Sequence, residues 1–473
     1  MADMLKKENI PIIIIFIGFI LRIIFTFFIA EAYFGRENIY VDGDTYAWIE
    51  CYKNLIESGT YSRNLAHEYG YFGRMPGYSF FLGFVYYLTG QNADLTFPIV
   101  AWIQIIVDVV SIYLVYKISD KIFKNNKISL VTSFLYAFYP FIIVWNPVAY
   151  SESLSVFFML FSLNYIAGNR KYKYFLSAVF ISLAVLFRPQ VSILIPIFAM
   201  LIFYQNYKLG VVNTIKNLFI YGFVIIIVYG SWPIRNYINH NKIILTQDLR
   251  GIPNWNVDVL AFLQYIYSVK AEWEPQFSNI IQNKDVKFPA IAYENKEDSI
   301  KLLRAIYLAQ NCGSGFSHWR GYWKEPITGN NCNDEIKAIF DELRENQIKN
   351  NPLNFYLILP LQNLKKAIFK ISLNDTKTLI RKLASSLFLY RTMLILLGFL
   401  GGLVLLFKKN YNWLILLLFP FLLYIALCFG TSPQFRNIEM RYFLHADILL
   451  LFPAAYVLNG LFEKIKQYIP HKS

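Results

Sequence analysis

Cysteine is scarce in this 473-residue chain; its four residues are too few for a disulfide scaffold. Charge is scarce too: 16% of residues are Asp, Glu, Lys or Arg, against 56% hydrophobic. That balance excludes a soluble globular fold as the main architecture. There is no Walker-type phosphate loop, no zinc-ligand cluster and no dinucleotide fingerprint, so a soluble nucleotide substrate is unsupported. No internal repeat appears. The formal charge of +14 comes without a domain-sized basic patch interleaved with aromatics, so nucleic acid is not an expected partner.

What the chain has is apolar length. Mean hydropathy is +0.38, and several runs reach the roughly 20 residues that cross a bilayer core. The lysines and arginines sit mostly in short loops between those runs, as the positive-inside rule expects of the cytoplasmic side. The sequence predicts an all-α polytopic membrane protein with about 10–11 spans. Pro11 to Ala30 follows Lys6 and Lys7 and reads as a retained anchor, leaving the N-terminus cytoplasmic. Further spans are expected near 97–116, 128–145, 150–168, 174–187, 191–204, 218–232, 386–407, 413–429 and 442–461, with the C-terminus also cytoplasmic. Pro76 to Gly90 is short for a span. If it crossed, Lys117, Lys121, Lys124 and Lys127 would fall on the wrong side, so a half-inserted or interfacial helix is expected.

Three regions follow: a membrane module over residues 1–236 with a first outer loop at 31–75, an outer loop domain over 237–384, and C-terminal spans over 385–473. The basic, apolar stretch from Pro352 to Leu383 predicts a membrane-surface helix. Cys312 and Cys332 bracket a Gly, Ser and Trp-rich patch and are a candidate disulfide, with two free thiols the alternative. Arg22 and Asp108 lie inside predicted spans, where an ionisable residue marks either a buried pair or a functional path.

The first outer loop concentrates polar chemistry. Tyr40-Val-Asp-Gly-Asp-Thr-Tyr-Ala-Trp48 leads into a predicted interfacial helix, and Arg74-Met-Pro-Gly-Tyr78 closes the loop. Asp44 is a natural N-cap for that helix, which gives it a purely structural reading beside a chemical one. Under the predicted topology Glu152, Arg188, Arg235, Asn236, Tyr237, Glu439, Arg441 and Tyr442 all emerge on the same outer face. Carboxylates, arginines and tyrosines at a membrane face suit a substrate whose phosphate is anchored in lipid. Sugar transfer from such a phosphate needs one carboxylate base and cations for the leaving group.

These stretches resemble bacterial polyprenyl-phosphate-sugar glycosyltransferases of the GT-C superfamily, relatives of protein O-mannosyltransferases and of the lipid A aminoarabinose transferase. The resemblance rests on Asp42-Gly-Asp-Thr-Tyr46, Leu55 to Tyr61, Arg74 to Tyr78, Tyr139-Pro140, Ser151 to Leu154, Leu186 to Pro189, Trp232 to Tyr237 and Glu439 to Tyr442, in the family's order. It implies a GT-C bundle in the cell (inner) membrane, a site facing the outside or periplasm, and an inverting transfer. The implied base is Asp44, with Asp42 second; Arg74, and less directly Arg188, Arg235 and Arg441, would meet the donor phosphate. Glu152, Tyr46, Tyr78, Asn236, Tyr237, Glu439 and Tyr442 would shape the substrate sites. No cofactor is required, although Asp42 and Asp44 leave room for a divalent metal. The Asp-Gly-Asp here differs from the adjacent acid pair of the O-mannosyltransferases, and the Lys-Pro-Pro-Leu element of the aminoarabinose transferases is absent. The acceptor is therefore open. A transporter or flippase of lipid-linked sugars and a non-catalytic envelope assembly protein are the alternatives.

Overall fold

The computed structural model describes residues 9–66, 69–248, 256–320, 332–369, 379–409, 413, 415–431, 436 and 438–468. The described residues are helical bundles joined by loops. Among the described residues, six helices are long and apolar enough to cross a membrane: 10–34, 93–123, 189–209, 211–228, 382–407 and 440–467. Glu152–Ile166, Lys173–Phe187 and Ile415–Phe429, of 15 residues each, complete the bundle beside them. The Pro76–Leu88 helix has 13 residues, about 20 Å of rise, which does not span a ~30 Å core.

Local chemistry sets several boundaries. The Ala93–Phe123 helix starts where the Asn92 side chain accepts from the Asp94 N–H. The run expected as one span from Ile128 to Trp145 breaks instead: a helix covers Asn126–Ala137, and a four-residue turn covers Pro140–Ile143. Pro140 brings no N–H to continue the first helix. Beyond it the Asn146 amide donates to the Ile142 carbonyl at 3.1 Å, and the chain turns toward the site.

Two buried ion pairs fasten the bundle. Arg22 Nε donates to Asp108 Oδ2 at 2.6 Å, and Tyr136 and Asn146 also donate to that carboxylate. Arg391 Nε donates to Asp447 Oδ2 at 2.7 Å, with the hydroxyls of Tyr139 and Tyr424 completing the shell. Each charge faces its counter-charge and gains further hydrogen bonds, as a buried ion requires, although Arg22 Nη2 is left without a partner among the described residues. Arg22 and Asp108 thus hold the first span to the second.

The loop region has its own core. Phe262, Tyr265, Ile306, Phe316 and Phe340 pack together between the helices Val257–Val269, Lys296–Asn311 and Asn333–Asn350. Cys312 and Cys332 form a disulfide, Cα atoms 5.7 Å apart, while Cys51 and Cys428 are buried and free. Of the predicted surface helix, Leu359–Phe369 is present, with Lys366 Nζ 3.3 Å from Glu272; Lys370 and Lys377 lie outside the described residues.

Candidate functional site

The loop helix Thr45–Ser58 begins at Asp44, yet the Asp44 side chain makes no capping hydrogen bond. Its turn is closed by other atoms: the Thr45 N–H donates to the Asp42 carbonyl at 2.8 Å, and the Asp42 N–H to Thr45 Oγ1 at 3.0 Å. The carboxylate is left for arginines. Asp44 Oδ1 pairs with Arg74, and Oδ2 lies 3.5 Å from Arg441 Nη1. The Asp44 side chain is 31% exposed, whereas those of Arg74 and Arg441 are 10% and 15% exposed. The carboxylate thus reaches solvent while its counter-charges are held by the protein.

Packing explains why these arginines meet there. Gly77 lets the Pro76–Leu88 helix press against the end of Lys173–Phe187; a Cβ at Gly77 would lie 2.7 Å from the Leu186 carbonyl oxygen. That contact brings Arg74 beside the end that carries Arg188. Arg188 pairs with Glu152, and both residues are buried. The Arg74 guanidinium lies over the Trp48 ring at 5.1 Å, and that of Arg441 over Tyr150, also at 5.1 Å. Arg441 Nε donates to Glu439 Oε2 at 2.6 Å, and the Tyr442 hydroxyl donates to Glu439 Oε1 at 3.3 Å.

Partial burial pushes the Asp44 carboxyl up, but Arg74, then Arg441, Arg188 and Arg63, outweigh it and hold it down at about 2. Asp44 is therefore ionised throughout the physiological range. Arg63, which sequence reasoning missed, sits 3.7 Å from Glu50 and is 17% exposed. No motif surrounds it, so the sequence gives no signal for it beyond its place in the loop.

The other predicted residues divide. Asp42 accepts from Arg36 at 3.2 Å and from the Gly43 N–H at 2.8 Å, so the two aspartates serve different partners. Arg235 donates to the carbonyls of Tyr61 at 2.7 Å and Tyr71 at 3.0 Å, and to the Asn236 side chain at 2.9 Å. It holds the far part of the first loop rather than facing Asp44. Asn236 in turn donates to the Ile244 carbonyl at 2.9 Å. Tyr78 is fully buried and donates to Gln104 at 2.9 Å. Tyr46 is half exposed with its ring edge-on to Phe97, and Tyr237 is exposed. Among the described residues no group of three or more His, Cys, Asp or Glu side chains converges as a metal site.

Comparison with known proteins bears on this arrangement. A family model described as dolichyl-phosphate-mannose-protein mannosyltransferase matches residues 74–232, about a third of the chain, from Arg74 to Trp232. No curated protein sequence matches. Among solved structures, the oligosaccharyltransferase of Archaeoglobus fulgidus in its apo form is similar, with TM-score 0.51 and 14% identity over 98% of this chain. The same enzyme tethered to an acceptor peptide containing the NVT sequon gives TM-score 0.52, also at 14% identity, over 99% of this chain. The chain spans about half the length of that enzyme, 51% in both cases. The chain thus shares the fold of about half of that oligosaccharyltransferase, along nearly all of its own length.

Proposed function

We propose that this protein transfers a sugar from a polyprenyl-phosphate donor to a hydroxyl or amine acceptor at the outer membrane face, with inversion and with Asp44 as general base. The observation that carries the reading is a solvent-reaching carboxylate, free of any capping bond, set among arginines at one end of a GT-C bundle. The acceptor hydroxyl would form its bond to the sugar C1 as the bond from C1 to the phosphate oxygen breaks. The acceptor proton passes to Asp44, and the phosphate leaves with the bonding electrons. Phosphate leaves without being protonated, so one base suffices.

The arginines supply the second half. A donor phosphate competes with Asp44 for Arg74 and Arg441, and the buried Arg74 Nε–H makes no hydrogen bond among the described residues. Drawing the guanidinium groups toward the phosphate frees the carboxylate and raises its basicity as the donor binds. The same cations then stabilise the charge on the departing phosphate. Asp42 and Asp44 accept from different arginines, Arg36 and Arg74, so each carboxylate already has a cationic partner. We propose a metal-independent transfer.

Lipid anchorage of the donor has a physical counterpart. The helix beginning just after Arg188 lines an apolar cavity of about 480 Å³, bounded by Ile197, Met200, Tyr204, Leu218, Ile415 and Leu418. That lining has the apolar chemistry an isoprenoid chain requires. Orientation is proposed on charge grounds: Lys127 pairs with Glu463 near the end of the last helix, while Arg441 stands near its start. Roughly 33 Å of helix separate the two, a membrane thickness, with the basic loop at the end away from the site. Arg22 and Asp108 are fully buried and pair with each other, as residues that fasten two spans do, which favours the structural reading of these charges over a transport path.

The test is transfer of radiolabelled sugar from a panel of synthetic polyprenyl-phosphate sugars by the purified protein in liposomes. Turnover with one of them supports the reading. Movement of the intact donor across the bilayer without sugar transfer overturns it in favour of a flippase.

A further inference from the structure

Gln104 is fully buried in the Ala93–Phe123 helix, and its amide is used on both sides. Its carbonyl oxygen accepts from the Tyr78 hydroxyl at 2.9 Å, in the first turn of the Pro76–Leu88 helix that Arg74 immediately precedes. Its amino group donates to the carbonyls of Asn146 at 2.8 Å and Val148 at 2.7 Å. Those carbonyls belong to the non-helical segment that follows the break at Pro140. The next residue, Ala149, donates its N–H to the Tyr40 carbonyl at 2.8 Å and accepts from Thr45 Oγ1 at 3.4 Å. Tyr150, which stacks under Arg441, comes directly after.

One side chain therefore ties together the element that carries Arg74, the segment that carries Tyr150, and through Ala149 the backbone on both sides of Asp44. We infer that Gln104 is a positioning residue that sets the spacing of Arg74 and Arg441 about Asp44. Both amide N–H groups are engaged, on carbonyls two positions apart, and the Val148 carbonyl also accepts from the Tyr150 N–H at 2.7 Å, which ties Tyr150 into the same network. A methionine of similar size fills the space and donates nothing. A glutamate accepts from Tyr78, but when ionised it turns a negative charge toward two carbonyl oxygens; when protonated it regains one donor.

The kinetic arm of the test rests on the transferase reading, and the exchange arm does not. In the full-length protein, Gln104→Met is expected to lower kcat by about tenfold or more at a donor KM within about threefold of wild type, the signature of misplaced catalytic groups. Gln104→Glu is expected to regain activity as the pH is lowered from roughly 8 to roughly 5.5, while Gln104→Met stays flat. Asp44 remains ionised across that range, so the recovery reports the introduced carboxyl. Amide hydrogen exchange of Gln104→Met is expected to quicken in segments 40–48 and 146–151 and to be unchanged in the 257–269 helix. Unchanged exchange in both segments, or wild-type kcat in a variant that has only lost stability, overturns the positioning role. Quickened exchange in a protein whose wild type turns over no donor leaves the positioning role standing and sinks the transferase reading.

Discussion

Replacing Arg74 by methionine tests how Asp44 is kept ionised. Burial pushes this carboxyl up from its ordinary 3.8, and Arg74 is the largest of the cations that bring it down to about 2. Two unit charges about 4 Å apart interact by roughly 4 kcal/mol at an effective dielectric constant near 20. The Asp44 side chain is 31% exposed, so solvent screening reduces that to about half. At about 1.4 kcal/mol per tenfold change in proton affinity, loss of Arg74 moves the titration up by roughly one to two pH units. The sign is fixed by the depressed wild-type value: the base form is present above it and is lost as the pH falls through it. The assay is kcat/KM against pH, which reports ionisations of the free enzyme. Wild type is expected to show no acid limb from Asp44 above about pH 3, and Arg74→Met a limb near pH 4. Overall kcat/KM also falls, since Arg74 is assigned to the donor phosphate, but the shape of the profile separates the two effects. Superimposable acid limbs in the two proteins would refute the electrostatic reasoning.

Other predictions concern the scaffold and the cofactor question. Asp447→Ala leaves the Arg391 charge buried and takes the acceptor from the Tyr139 and Tyr424 hydroxyls, and is expected to cost about 3–5 kcal/mol in unfolding measured in detergent. The double change Asp447→Leu with Arg391→Met is expected to cost less; an equal or larger loss would contradict a penalty that arises from the stranded charge. Chelation with EDTA is expected to leave transfer within about twofold of the untreated rate, because guanidinium groups carry the phosphate charge. A loss restored by a divalent cation would return the metal reading.

Much of this was legible in the sequence for identifiable reasons. Apolar length gave the long spans, and Pro76–Leu88 is a 13-residue helix, as short as its apolar run in the sequence. The acids and arginines of the first loop, Arg188 and Arg441 do gather at one end. Where the sequence left a residue's role open, a distant partner decides its contacts. Whether Asp44 caps its helix depends on Arg74 and Arg441, which lie 30 and 397 positions away. Arg235 has the same charge and sits in an equally suggestive motif, but the carbonyls of Tyr61 and Tyr71 claim it. The Arg22–Asp108 pair spans 86 positions and the Arg391–Asp447 pair 56, and no local pattern announces either. Gln104 carries no motif at all. Its importance comes from two carbonyls exposed by the break after Tyr139-Pro140, a break that hydrophobicity alone reads as continuous helix.

The most direct test of the central claim compares wild type with Asp44→Asn for both sugar transfer and donor binding. The substitution keeps size and shape, removes the base, and takes away the anion that competes with the donor phosphate for Arg74 and Arg441. Transfer is expected to fall by about 10²–10⁴-fold, while the donor binds as tightly as to wild type or more tightly. Turnover by Asp44→Asn at the wild-type rate would contradict the assignment of Asp44 as the base.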